Sequence, residues 1–297
     1  MTDKSFVSGY AALIGRPNVG KSTLMNRVLD IKLSIVTPKP QTTRHRILGI
    51  YNADNCQIIF LDTPGLLTPK YKLHEIMVKT VWSAVDDADV VLYMIDAENR
   101  SREKDFAQLS SLAGVNKPVL LIINKSDTIG KENLLPIIQS YQDAMNFTEI
   151  IPISALHGDG VKLVIDCIRS HLPEMPPYYP PDMLTEQPER FFVAEIIREK
   201  IFQKYKDEIP YSTTVSIEEF KEREGNKDYI RATIYVERSS QKGILIGKKG
   251  AALKSLGRIA RTDIESFLER DVYLDLHVSV KDKWRFKDGS LKDLGYK

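Results

Sequence analysis

Gly15-Arg16-Pro17-Asn18-Val19-Gly20-Lys21-Ser22 follows an apolar run and opens a helical one. The stretch fits GxxxxGKS, and its place between a strand (residues 10–14) and a helix (residues 21–29) matters as much as its letters. Glycines let the backbone curl so that successive N–H groups point inward at phosphate oxygens. The helix that starts near Lys21 adds the positive end of its dipole. Lys21 is therefore expected at the terminal phosphates of a nucleotide and Ser22 on Mg²⁺, with Thr23 next in the cradle. Working outward, apolar runs at 57–61, 90–95, 119–123 and 150–153 alternate with helical patterns at 73–85, 104–112, 134–145 and 161–171. Continuous apolar strands of this kind are buried on both faces, which predicts an α/β domain with a mostly parallel sheet flanked by helices.

Two further motifs stand at strand ends. Asp62-Thr63-Pro64-Gly65 closes the strand at 57–61. Asp62 is expected to hold Mg²⁺ through a water, and the Gly65 N–H to meet the γ-phosphate. Asn124-Lys125-Ser126-Asp127 follows the strand at 119–123. The Asp127 carboxylate can accept two hydrogen bonds from the N1–H and exocyclic amine of guanine. Adenine lacks that pair, so Asp127 selects GTP over ATP and argues against an ATP-dependent P-loop kinase. Asn124 and Lys125 brace the pocket, and Ser154-Ala155 offers a backbone N–H to the guanine oxygen. Three motifs in this order, each at the carboxyl end of a strand, make a strong signal.

Residues ~5–172 resemble a translation-factor-class GTPase domain on these motifs, and Gln41-Thr42-Thr43-Arg44-His45 resembles the switch I motif of the Era family. The resemblance implies that one threonine closes over Mg²⁺ and the γ-phosphate. Thr43 is favoured and Thr42 stays open, which gives Lys21, Thr43 and Gly65 as the catalytic set. Ras-like enzymes carry a water-orienting glutamine after the DxxG glycine; here Leu66 occupies that position. A leucine cannot polarise water, so slow intrinsic turnover, raised by a partner or an ion, is expected. In related GTPases with an apolar residue there, an asparagine equivalent to Asn18 helps hold K⁺, which can stabilise transition-state charge. Arg44 and Arg46 are candidate charge stabilisers, with a solvated or RNA-facing placement the favoured reading.

The alternation then breaks. Six of the fifteen prolines fall between Pro173 and Pro188, a composition that predicts a stiff, extended linker over residues 173–190, with a boundary near 178. Beyond it the order is helix (193–205), strands (213–219 and 229–237), a glycine-interrupted helical region (242–270) and a strand (272–280). Within the interrupted region lies Gly247-Lys248-Lys249-Gly250, preceded by Ile244 and Ile246. GxxG is weak alone, but in an α-β-β-α-α-β setting it resembles a type II KH domain over residues 191–297. That resemblance implies binding of about four nucleotides of single-stranded RNA across the loop. Lys254 and Arg258 on the following helix join Gly247, Lys248, Lys249 and Gly250 as the expected RNA contacts. The tail interleaves basic and aromatic residues, and Trp284 and Phe286 either stack on bases or pin the tail.

Composition bounds the rest. The 297 residues suit two domains, and 42% hydrophobic content supplies their cores. No apolar run approaches the ~20 residues that span a bilayer, and the start of the chain lacks the build of a signal peptide. Cys56 and Cys167 offer neither a disulfide framework nor metal-ligand spacing, as expected of an intracellular protein with reduced thiols. A net charge of +2 argues against a nucleic-acid coat until it is mapped. Residues 1–180 hold 19 basic and 19 acidic groups and residues 181–297 hold 23 and 21, yet Arg238 to Thr262 contains seven basic residues and no acidic one. Taken whole, the chain resembles the Era family of GTPases, which implies a partner in the 3′ end of 16S ribosomal RNA and a role in 30S subunit assembly. It implies a cytoplasmic protein, with peripheral association to the inner membrane resting on the family alone. A membrane- or protein-docking signalling GTPase whose KH-like domain binds protein rather than RNA is the alternative.

Overall fold

The computed structural model describes residues 5–99 and 102–296. These form two compact units, one running to Thr68 and from Met77 to Glu186, the other comprising Pro69–Ile76 and the chain from Gln187.

The first unit follows the order β1 (Val7–Gly15), α1 (Lys21–Leu29), β2 (Ile47–Ala53), β3 (Cys56–Asp62), α2 (Lys72–Asp87, whose first turn belongs to the second unit), β4 (Val90–Asp96), α3 (Arg102–Leu109), β5 (Val119–Asn124), α4 (Lys131–Gln142), β6 (Glu149–Pro152) and α5 (Val161–His171). The sheet runs β2-β3-β1-β4-β5-β6, parallel throughout except for the β2–β3 hairpin. Every residue of β3 and β5 is buried, as continuous apolar strands between two helical layers require. The helices contribute one face each; α5 buries Val161, Val164 and Ile168. This topology brings the carboxyl ends of β1, β3, β5 and β6, and so all three motifs, to one edge of the sheet.

Strand β2 is absent from the sequence-based list. It is an edge strand that carries Gly49 and loses its burial toward Asn52 and Ala53, so its pattern is weaker than that of the central strands. Asp54-Asn55, the two-residue turn that pairs Ala53 with Cys56, was its available signal.

The proline-rich segment, expected as a stiff, extended linker, is bonded along the first unit. Its carbonyls, which proline retains, accept bonds from the first unit: Ser8 N–H donates to Pro173 O at 3.2 Å and Ser8 Oγ to Pro176 O at 2.6 Å. Gln57, fully buried, accepts the Tyr178 and Tyr179 N–H groups at 2.7 and 3.0 Å and donates to Tyr179 O at 2.8 Å. On the edge strand, Ile50 N–H donates to Leu184 O and Thr185 Oγ1 donates to Leu48 O. Residues 173–186 are thus a strap on the sheet, and the unit ends at Glu186 rather than near 178. Missing proline N–H groups keep the strap from templating a further strand.

The second unit contains α6 (Glu189–Lys204), α7 (Ile209–Ser212), β7 (Thr214–Lys221), β8 (Asp228–Val236), α8 (Ser239–Ile246), α9 (Ala251–Leu268), β9 (Val272–Val280) and α10 (Asp288–Asp293). Its sheet runs β7-β8-β9, antiparallel then parallel. Alternate residues of β8 (Ile230, Ala232, Ile234 and Val236) meet the Leu256, Ala260, Ile264 and Leu268 stripe of α9 in one core. Trp284 is fully buried, donates from Nε1 to Ser212 O at 2.9 Å and stacks on Tyr296. Of the two tail aromatics, Trp284 therefore pins the tail, while Phe286 is half exposed. Both cysteines are free thiols, and no helix among the described residues is long and apolar enough to cross a membrane.

Candidate functional site

The phosphate loop turns between β1 and α1 on three positive φ angles, at Gly15 (139°), Asn18 (66°) and Gly20 (101°). Gly20 has a second constraint: a Cβ there would lie 2.1 Å from Asn124 Nδ2. Lys21 is buried and folds back, donating from Nζ to Gly15 O at 3.1 Å and Arg16 O at 3.0 Å. Burial pulls its pKa down to about 8, against the opposing pull of Asp62. Across the cavity Gly65 lies so close to the loop that a Cβ would sit 2.5 Å from Pro17 N.

Asp62 is fully buried. Its Oδ2 accepts Ser22 Oγ at 2.7 Å and Ser34 Oγ at 2.8 Å, while Oδ1 has no hydrogen-bond partner among the described residues. Burial raises the pKa of this carboxyl, and the bond from Ser22 and the charge of Lys21 work against that rise. Thr43 Oγ1 stands 3.1 Å from Ser22 Oγ. Thr42 instead bonds within its own loop, to Thr37 Oγ1 and Lys39 O, each at 2.7 Å. The Ser22 and Thr43 hydroxyls beside the unsatisfied buried carboxylate oxygen of Asp62 are hard oxygen donors that fit Mg²⁺. Arg44, for which a solvated or RNA-facing placement is favoured from the sequence, is buried, and Arg46 pairs with Asp87. Asn18 donates from Nδ2 to Pro38 O at 2.7 Å, joining the phosphate loop to the segment that carries Thr43.

Asn124 connects the base end to the phosphate end. Its Nδ2 donates to Val19 O at 2.8 Å, and its Oδ1 accepts the Ala155 N–H at 2.9 Å. Ser154 lies buried beside it. The Asp127 carboxyl is held below the usual range, first by a bond from Ser154, and His157 Nε2 lies 3.6 Å from its Oδ2. Lys125, which lines the cavity, is tied through Nζ to Asp96 Oδ2 at the end of β4 (2.5 Å). Arg27 on α1 donates to the carbonyls of Ala155 and Leu156. Asp96 and Arg27 escape a motif search because each acts through tertiary placement; a lone Asp ending a strand is the only sequence signal. The resulting cavity of about 430 Å³ is lined by Asn18, Lys21, Ser22, Thr43, Gly65 and Asp127, among others.

On the second unit, Gly247 (φ 70°), Lys249 (φ 51°) and Gly250 (φ 78°) turn the chain sharply from α8 into α9. Lys248 and Lys249 are exposed. Lys254, Arg258 and Arg261 follow on one face of α9, at helical spacing, and rim a groove of about 720 Å³ floored by Leu274 and Leu276 of β9. Arg261, outside the expected contact set, is brought in by that spacing.

A cavity with a phosphate cradle at one end and a lone carboxylate at the other takes a guanine nucleotide, so the first unit is a P-loop GTPase domain; strand order and the GxxG turn make the second a KH domain. Comparison with known proteins agrees. The family model for 50S ribosome-binding GTPase matches residues 10–125, and that for the KH domain matches residues 208–285. GTPase Era of Geotalea uraniireducens (strain Rf4) is 49% identical over 296 residues, covering all of both chains. GTPase Era of Geobacter metallireducens is 49% identical over 297 residues, again covering both in full. Among solved structures, a single-residue variant of Aquifex aeolicus Era bound to GDP·AlF4⁻ superposes with a TM-score of 0.93 at 43% identity, covering 98% of this chain and 99% of that one. An Era structure in complex with MgGDPNP and nucleotides 1506–1542 of 16S ribosomal RNA gives the same figures. The chain belongs to the Era family of GTPases, and its reaction is the hydrolysis of GTP to GDP and phosphate.

Asp127→Asn replaces an acceptor-only group with one that also donates. Two charge-assisted bonds to guanine are lost, so GDP affinity is expected to fall about a hundredfold or more, with xanthosine diphosphate binding more tightly than GDP. Competition binding of the two nucleotides checks this.

Proposed function

We propose that this chain is a GTP-driven switch that binds 16S ribosomal RNA near its 3′ end and assists assembly of the 30S subunit in the cytoplasm. One observation carries the reading: a guanine-nucleotide cavity and an RNA-sized basic groove headed by Gly247-Lys248-Lys249-Gly250 occur in one chain. The relative solved with MgGDPNP and a 16S fragment supports the RNA half.

At the nucleotide site the phosphate-loop N–H groups and Lys21 bind and orient the phosphates. Ser22, Thr43 and Asp62 would hold Mg²⁺, which when bound neutralises charge on the β- and γ-phosphates. Thr43 and the Gly65 N–H bracket the γ-phosphate, and release of phosphate frees both segments. Leu66, the residue at the glutamine position, is buried in the core cluster and has no polar group to orient the attacking water. Slow intrinsic turnover follows. Asn18, whose Nδ2 donates to Pro38 O, would hold K⁺ through its amide oxygen, and the ion would add positive charge where the transition state develops negative charge. Turnover in K⁺ buffer is expected to exceed that in Na⁺ buffer at equal ionic strength by tenfold or more; equal rates overturn the K⁺ role.

At the groove, Lys248, Lys249, Lys254 and Arg258 contact phosphates while the apolar floor receives bases. Removing both loop charges (Lys248→Gln with Lys249→Gln) is expected to weaken binding of a single-stranded 3′-end 16S oligonucleotide at least tenfold. The log K against log salt slope becomes shallower by about 1.4, two phosphates' worth for a single strand. Unchanged affinity and slope in a filter-binding titration overturn RNA recognition and favour a protein- or membrane-docking role for this unit.

A further inference from the structure

Helix α3 carries two polar residues that line none of the nucleotide cavity, yet each reaches one of its loops. Asp105, 1% exposed, accepts Tyr141 Oη at 2.8 Å and Asn99 Nδ2 at 2.9 Å on Oδ2. Its Oδ1 faces Arg16 Nη1 of the phosphate loop at 3.5 Å. Burial, reinforced by the Asp105 charge, keeps the phenols of Tyr93 and Tyr141 protonated and donating. Tyr93 Oη donates to the Asp105 carbonyl at 3.2 Å and lies 3.4 Å from Gln108 Oε1. Gln108 Nε2 in turn donates to Leu66 O at 3.2 Å.

Leu66 is thereby held at three points. Its side chain is buried in the core, its N–H donates to Gly15 O at 2.9 Å, and its carbonyl accepts Gln108. The neighbouring peptide is that of Gly65, whose N–H faces the γ-phosphate in the reading above. We infer that Gln108 is a positioning residue for hydrolysis: from α3 it fixes the Leu66 carbonyl, and so the Gly65–Leu66 segment against Gly15, while Asp105 holds Arg16 of the same loop to the same helix. The residue that replaces the glutamine of Ras-like enzymes thus works as an anchor, with its backbone tied down by a side chain from another element. Ground-state binding of GDP makes no use of the γ-phosphate contact, so this device acts on turnover and leaves GDP affinity alone.

The test compares Gln108→Met, which keeps length and removes the donor, with Gln108→Lys, which keeps a donor. In single-turnover GTP hydrolysis, Gln108→Met is expected to slow the rate about fivefold, the worth of one neutral hydrogen bond. Kd for GDP stays within twofold of wild type, and Gln108→Lys recovers most of the rate. Wild-type turnover in Gln108→Met overturns the inference. So does a parallel loss of GDP affinity and melting temperature in both variants, which marks a merely structural residue. Failure of GTP hydrolysis in the unmodified protein would instead strike at the GTPase reading itself, so the two failures are distinguishable.

Discussion

One buried amide organises the nucleotide site. Asn124 ends β5, donates to the phosphate loop at Val19 and accepts from Ala155 after β6, so three loops share a single side chain. Away from water each bond is stronger, and leaving either end unpaired would cost about 1–3 kcal/mol. The constraint reaches into the sequence, because only a glycine at position 20 leaves room for that amide. It also depends on topology. Parallel strands in the order β1-β4-β5-β6 put the carboxyl ends of β1, β5 and β6 on one edge, where an amide can span them. Phosphate and base recognition are therefore parts of one rigid frame.

Around that frame the site divides into groups that bind and groups that hold. Lys21, Ser22, Thr43, Gly65 and Asp127 face the cavity. Asp96, Arg27 and Gln108 hold Lys125, the Ala155–Leu156 loop and Leu66 in place. Among the described residues of the nucleotide site, Oδ1 of Asp62 is a buried oxygen left without a hydrogen-bond partner, a demand that a divalent cation would meet.

Much of this was legible in the sequence. GxxxxGKS, DTPG and NKSD each follow a run so apolar that a buried strand was the only economical reading, and GKKG sits where the helical pattern breaks. The holding residues were not legible, because Asp96 and Gln108 matter only through neighbours 29 and 42 positions away. Edge strand β2 was hidden by its glycine and polar end, and the proline strap by a composition that reads as a linker. Its carbonyls are the contacts, and Gln57, an amide inside an apolar strand, was the overlooked sign. Net charge misled for a related reason: +2 averages over a 25-residue stretch without a single acidic group, from Arg238 to Thr262.

The central claim is that a guanine-nucleotide site and a single-stranded RNA groove serve one switch. Hydroxyl-radical footprinting of the full chain on small-subunit ribosomal RNA, with GDP and with a non-hydrolysable GTP analogue, addresses it most directly. The expected result is a protected single-stranded segment near the 3′ end, stronger with the analogue than with GDP. The absence of a protected 3′ segment, or identical protection in both nucleotide states, would contradict it.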